Sequence, residues 1–256
     1  MGRGNSGRIT AAIRTPVRNP RLYVPPEERE TTQYKEFTDM PSRTSEFEYQ
    51  GSGRETVQWF KDNSNYDELI RSMGYDDHDA FQSWMNGHWM SGQMYRGFDN
   101  LGQRDQDMIR SYDKIIDQSV IREAFTVRRL ATAELVLGAG NTGVRSLEQL
   151  QALRGQTITS KGNMSTGAAA HGLGIGAGYR KPVEYIMRFP AGTKGAGMWI
   201  GDRRIGGWGA KQREFMTNRD INFTVGDTRY NSRTGKYEVE LIFSGRNEHD
   251  YGRRGR

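Results

Sequence analysis

Apolar residues fall in two different rhythms along this 256-residue chain. Between about 55 and 122 they recur at three- and four-residue steps, the period of a helix with one buried face. Val57 and Phe60, then Leu69, Ile70 and Met73, predict short amphipathic helices, and Phe81, Trp84, Met85 and Trp89 continue the spacing. Met108, Ile109, Tyr112, Ile115, Ile116 and Val120 predict the clearest helix, with Asp105 near its start. Stripes of this kind are core-facing, and no cofactor site is read into them. From about 124 the rhythm changes to short apolar runs between Gly-rich turns, the mark of strands. The predicted strands are Phe125–Arg129, Gln156–Thr159, Val183–Phe189, Gly197–Ile200, Gln212–Met216, Ile221–Val225 and Lys236–Phe243. A loop from Asp227 to Gly235 is expected before the last strand, and one helix, Ser146 to Leu153, interrupts the series. Helices first and a meander of strands afterwards predict an α+β domain over 55–245, helical to 122 and β from 123. No internal repeat and no βαβ alternation is visible.

Outside that span the pattern fades. Residues 1–54 hold Gly, Ser, Arg and Glu with few large aliphatics, and Pro16, Pro20, Pro25, Pro26 and Pro41 break any helical period. A disordered arm is expected there, and a short basic tail over 246–256, ending Tyr251-Gly-Arg-Arg-Gly-Arg256.

Composition narrows the chemistry. With no cysteine, disulfides and thiolate metal sites are excluded. His78, His88, His171 and His249 are scattered and form no His-Glu-x-x-His pattern, so no metal is expected. No apolar run approaches the ~20 residues that span a bilayer, and no apolar core follows Arg3 and Arg8. A soluble protein acting in a cytoplasm, its own cell's or a target cell's, without a membrane partner, is the expectation. The net charge of +6 comes from 37 basic and 31 acidic side chains, a mild excess compatible with solvation or with nucleic-acid contact.

The segment Gly155-Gln-Thr-Ile-Thr-Ser-Lys-Gly-Asn-Met-Ser-Thr-Gly167 carries the most information. After it come Val183–Arg188, then Phe189-Pro-Ala-Gly-Thr-Lys-Gly-Ala-Gly197, then Gln212-Arg-Glu-Phe-Met216; before it lie Tyr112–Ile116 and Phe125-Thr-Val-Arg-Arg129. Taken in order, these resemble the mono-ADP-ribosyltransferase family of the arginine–serine–glutamate type. Ser165 and Thr166 match the first two positions of its Ser-Thr-Ser motif, and Gly167 departs from the third. Gln212 and Glu214 match its Gln-x-Glu signature. The resemblance runs from about 105 to 243, with Ser165 36 residues after Arg129 and Glu214 49 after Ser165.

The resemblance implies a fold of N-terminal helices packed on a split, mostly antiparallel β-sandwich core. It also implies NAD as substrate, with no metal. Breaking the nicotinamide–ribose bond builds positive charge on the sugar, as in glycoside hydrolysis. A carboxylate at the ribose, Glu214, stabilises that charge, and Ser165 holds glutamate and ribose in place. An arginine offers a planar fork to the pyrophosphate or ribose that lysine does not. Arg129 fits this place, with Arg128 and Leu130 departing from the family's Tyr-Arg-Gly; Met94-Tyr-Arg-Gly97 makes Arg96 the rival, but 69 residues before Ser165. Thr166 joins the NAD site on the same motif.

The run Gly172-Leu-Gly-Ile-Gly-Ala-Gly178 is superficially similar to a dinucleotide-binding fingerprint, but no suitable strand precedes it and no helix follows. The resemblance makes it either a loop over NAD, with Tyr179, Arg180 and Lys181 near the ligand, or a plain surface loop. Trp208, in Ile205-Gly-Gly-Trp-Gly-Ala210, is read as an acceptor platform or as a core residue. Family members that modify arginine usually carry Glu-x-Glu. Gln212 cannot neutralise a guanidinium, so an amide side chain or a nucleobase is the expected acceptor. Members with Gln-x-Glu include exoenzymes acting on small GTPases and toxins acting on guanine in DNA. The expected partners are NAD, a protein or nucleic-acid acceptor and, for a toxin or phage-encoded effector, an inhibitor or antitoxin. Two other readings stand beside transfer: NAD hydrolysis, and a non-catalytic phage or structural protein with this fold.

Overall fold

A computed structural model describes residues 32–38, 42–43, 49–50, 54–72, 98–131, 146–160, 162–170, 183–200 and 213–249. Among the described residues, three α-helices precede the main sheet: α1 (Arg54–Asn63), α2 (Tyr66–Ser72) and α3 (Gln103–Ile116). α3 follows the expected stripe: Ile109, Tyr112, Ile115 and Ile116 are buried. Asp105 in its first turn and Lys114 in its last complement the helix dipole. α4 (Leu147–Ala152) is capped by Ser146, whose hydroxyl accepts from the Gln149 N–H at 3.3 Å. That cap places the start where the sequence puts it.

The strands are β1 (Ser42–Arg43), β2 (Tyr49–Gln50), β3 (Val120–Ile121), β4 (Phe125–Ala131), β5 (Thr157–Ser160), β6 (Ser165–Gly167), β7 (Val183–Phe189), β8 (Thr193–Lys194), β9 (Gly197–Trp199), β10 (Glu214–Thr217), β11 (Ile221–Asn231) and β12 (Lys236–Arg246). Eight form one sheet in the order β5-β11-β12-β7-β4-β6-β10-β9. Every pair in it is antiparallel except β7 with β12. The five-stranded part ending in β4 meets the three-stranded part beginning at β6 through one residue pair, Arg128 with Gly167. The sheet is therefore split there, and the architecture is the α+β one expected. Aromatic side chains bridge the split. Phe60 of α1 stacks on Trp199 at 4.6 Å and lies 5.9 Å from Phe215, while Phe125 contacts both Phe189 and Phe215.

Three stretches differ from expectation. β11 runs on to Asn231 through residues read as loop, because Asp227 begins no turn: a bulge between Val225 and Thr228 absorbs it. Only Gly fits at 226, where a Cβ would lie 2.2 Å from the Glu240 carboxylate. Within the expected arm, residues 32–38 pack on the domain. Thr126 donates to the Lys35 carbonyl at 3.0 Å, Lys35 donates to Ala124 at 2.9 Å, and Phe37 lies 5.5 Å from Phe60. Prolines bar a helix here but not an extended segment. At the other end, β12 continues through Arg246, and the side chain of His249 is buried beyond it.

His249 belongs to an ionic cluster centred on Arg219. The Arg219 Nε donates to Asp113 at 3.0 and 3.1 Å, its Nη2 to Asp113 at 2.7 Å, and its Nη1 to Asp220 at 2.6 Å. The His249 ring lies 2.9 Å from Asp117 and 3.3 Å from Asp220, and Arg246 reaches Asp117 at 2.5 Å. The cluster ties the end of β12 to α3 and to the β10–β11 turn. No described helix is long and apolar enough to cross a membrane.

Candidate functional site

The split in the sheet brings three of the sequence-identified residues, Arg129, Ser165 and Glu214, together. Along β4, successive side chains alternate between faces. Val127, Arg129 and Ala131 share the face of Phe125, whereas Arg128 points to the other and pairs with Glu36 at 3.1 Å. The two adjacent arginines therefore have different tasks. The Arg129 guanidinium donates from Nη1 to the Ser165 carbonyl at 2.5 Å, reaching across the gap between β4 and β6. Tyr185, opposite Arg129 in β7, lies under it. Burial pushes the Tyr185 phenol above its usual range, with the Arg129 charge acting in the opposite sense.

On the other side of the gap, β6 and β10 run antiparallel with Ser165 opposite Met216 and Gly167 opposite Glu214. Ser165 and Glu214 are thus diagonal neighbours on one face, within reach of each other. The Ser165 hydroxyl donates to Glu214 Oε1. Both residues are buried, with 8% and 6% of their surface exposed, so the carboxylate is held in place. The residue facing Glu214 across the ladder is glycine, which sets no side chain beside the carboxylate.

Thr166 points the opposite way. It is fully buried, and its hydroxyl donates to the Phe215 carbonyl at 2.6 Å, so the structure places its side chain behind the strand, away from Ser165.

The strand begins at Glu214, and Arg213 before it has φ 51°. This left-handed conformation, uncommon outside glycine, breaks the two-residue alternation at the strand's entrance. Arg213 is buried at 6% exposure, and its carbonyl accepts from the Ala168 N–H at 3.0 Å. Sequence reasoning missed Arg213 and Tyr185. The alternation of Val183–Phe189 places Tyr185 on the core face, but nothing in the sequence announces a left-handed arginine. Gln212, Trp208, Tyr179, Arg180, Lys181, Arg96 and the run 172–178 lie outside the described residues.

An anchored carboxylate, a hydroxyl that orients it and a guanidinium on the facing strand form a site suited to cationic character at a sugar carbon. Among the described residues no group of three or more His, Cys, Asp or Glu side chains is placed to hold a metal ion.

No protein-family model matches the sequence, and no curated protein matches it. Solved structures do match its fold. C3stau2 from S. aureus, determined with NAD, is 16% identical with a TM-score of 0.61, covering 84% of this chain and 100% of its own. Plx2a, an ADP-ribosyltransferase toxin from Paenibacillus larvae, is 15% identical with a TM-score of 0.58, over 77% and 98% of the two chains. The C3 exoenzyme of Clostridium limosum is 14% identical with a TM-score of 0.58, over 83% and 98%. The chain has the ADP-ribosyltransferase fold.

Proposed function

We propose that this chain, having that fold, is a mono-ADP-ribosyltransferase that cleaves NAD and passes the ADP-ribose to a macromolecule, acting as a toxin or effector in a cytoplasm. The observation that carries the reading is the Ser165–Glu214 hydrogen bond with Arg129 on the facing strand. In the reaction the nicotinamide–ribose bond breaks and nicotinamide leaves with the electron pair. A nucleophilic atom of the acceptor then bonds to the ribose carbon and gives up its proton. Glu214 faces the positive charge that develops on the sugar, Ser165 orients that carboxylate, and Arg129 holds the pyrophosphate or ribose. Tyr179 and Arg180 are assigned to NAD, and Trp208 and Gln212 to the acceptor. Incubation with NAD labelled in the adenylate, with and without cell lysate, tests the reading. Nicotinamide release together with label fixed to macromolecules is the expected result, and protease or nuclease sensitivity identifies the acceptor class. Release without fixed label is the outcome of an NAD hydrolase, and neither product that of a non-catalytic protein.

Arg129→Lys is expected to weaken NAD binding at least tenfold, because lysine keeps the charge but loses the fork. Arg96→Lys is expected to leave it within twofold. Isothermal titration with NAD separates the two, and the opposite ranking would reassign the motif arginine.

Gln212→Ala is expected to reduce transfer far more than nicotinamide release measured without acceptor. The expectation rests on the Gln-x-Glu signature alone, since the left-handed Arg213 removes strand alternation as a reason for Gln212 to share the face of Glu214. Equal losses in both assays would make Gln212 an NAD-site residue and remove the preference for an amide or base acceptor.

A further inference from the structure

Residues 34–37 fill the part of the split that β6 leaves open. β4 lies between β7 and β6 in the sheet, so its two edges face those strands. Residues two apart on a strand turn their backbone groups to the same edge. Arg128 meets Gly167 of β6 on one edge, and Thr126 uses that same edge to donate to the Lys35 carbonyl at 3.0 Å. Lys35 in turn donates to the Ala124 carbonyl at 2.9 Å, which completes a parallel bridge between Lys35 and Phe125. The segment therefore shares the β6 edge of β4, on the Phe125 side of the single residue pair that joins the halves of the sheet.

Its side chains grip both faces of that edge. On the face of Arg128, the Arg188 guanidinium stands over the Tyr34 ring at 5.1 Å, and Glu36 holds Arg128 at 3.1 Å. On the face of Phe125, Phe37 stacks on Phe60 of α1 with centroids 5.5 Å apart and meets Trp59 edge-on at 5.3 Å. Tyr34 and Phe37 are both buried. Phe60 connects the segment to the far half of the sheet, where it stacks on Trp199 of β9 at 4.6 Å and lies 5.9 Å from Phe215 of β10. Phe125, bridged to Lys35, touches Phe215 itself at 5.1 Å. A route thus runs from β4, which carries Arg129, through residues 34–37 and α1 to β10, which carries Glu214, around the gap rather than across it.

We infer that residues 34–37 are a positioning strap, which holds the two halves of the split sheet at the separation where Arg129 reaches Ser165. None of the four is Arg129, Ser165 or Glu214, so they act on the site through the spacing of its strands. A loosened strap leaves each half folded but lowers the share of molecules with the halves aligned, and apparent NAD affinity falls by that share. At saturating NAD the ligand itself selects the aligned arrangement, so kcat changes little. The effect on NAD rests on the proposed function; the alignment of the two halves does not.

Lys35→Pro in the full chain removes the N–H that donates to Ala124 and keeps Tyr34, Glu36 and Phe37, whereas Lys35→Ala keeps that N–H as well. Titration with NAD is expected to show about tenfold weaker binding for Lys35→Pro, with kcat for nicotinamide release within about twofold, and near-wild-type binding for Lys35→Ala. Hydrogen exchange without NAD is expected to quicken about tenfold in residues 162–170 of Lys35→Pro and to stay unchanged in β12. Phe37→Ala, which parts the strap from α1 but keeps both backbone bonds, is expected to give the same two signatures, and it carries the test if the proline variant does not fold. In a folded variant, unchanged exchange over 162–170 overturns the inference, and so does NAD binding within about twofold of the wild type. Exchange that quickens equally in β12, the mark of a general loss of stability, also overturns it. Equal losses in Lys35→Ala and Lys35→Pro do so too, since they would assign the effect to the Lys35–Glu55 ion pair. A wild-type chain that binds no NAD refutes the proposed function instead, and the exchange comparison then decides the strap alone.

Discussion

Glu214→Gln is expected to lower both nicotinamide release and ADP-ribose transfer by roughly 100-fold or more while leaving the thermal midpoint almost unchanged. The reasoning starts from what the substitution keeps. Glutamine has the same length and can still accept the Ser165 hydrogen bond, so the β6–β10 register and the packing of Phe215 behind it are not disturbed. What it removes is the negative charge, in a site from which most water is excluded and where charge acts strongly. Stabilisation lost only as the sugar becomes cationic lowers kcat rather than raising KM. Rates of NAD turnover, with circular dichroism to establish folding, check this. Near-normal turnover in a folded variant would remove the carboxylate from the chemistry and the proposed function with it.

The second large effect concerns stability. Asp113→Ala is expected to destabilise the fold by about 3–5 kcal/mol and lower Tm by about 10 °C. Asp113 is fully buried and holds Arg219 by both carboxylate oxygens, so its removal leaves a guanidinium at 2% side-chain exposure with only Asp220 of the pair. Replacing both partners by apolar residues is expected to cost less, because no buried charge is then stranded. A Tm within about 2 °C of the wild type for the single variant would show that water reaches Arg219.

The same cluster sets a pH dependence. Burial disfavours the charged His249 ring, but Asp117, Asp220 and Asp113 around it raise its pKa. Its contribution is complete below the unfolded value of 6.5 and is lost as pH rises through the folded one. Asp117 behaves in the opposite sense. Although burial works against its charge, His249, Arg246 and Asn218 hold its pKa at about 2, so its share is present above 3.8 and is lost as pH falls toward 2.

Particular residues explain how much of this was legible. β7 coincides with the predicted strand because an apolar alternation, Val183, Tyr185, Met187, Phe189, lies between two prolines. α4 was legible from its serine cap. The far half of β11 was not, because exposed strand residues such as Asp227 and Arg229 carry no apolar rhythm and read as loop. The packing of 246–249 was hidden for a different reason: Arg246 finds Asp117 across 129 residues, and no local pattern encodes so distant a partner. At the site, Ser165 and Glu214 stood out through a motif order. The sheet gives the two adjacent arginines different partners, Glu36 for Arg128 and Ser165 for Arg129, while the rival Arg96 lies outside the described residues.

The position of β12 has a consequence for how the chain is made. Of the described strands it is the last to be synthesised, yet it lies inside the sheet, between β11 and β7. Until residue 246 has emerged, β7 has no neighbour on that side, and β4, which carries Arg129, is braced by an incomplete sheet. Ser165 and Glu214 are synthesised well before that moment. A nascent chain therefore contains Arg129, Ser165 and Glu214 before the frame that aligns them, and competence waits until β12 has been made.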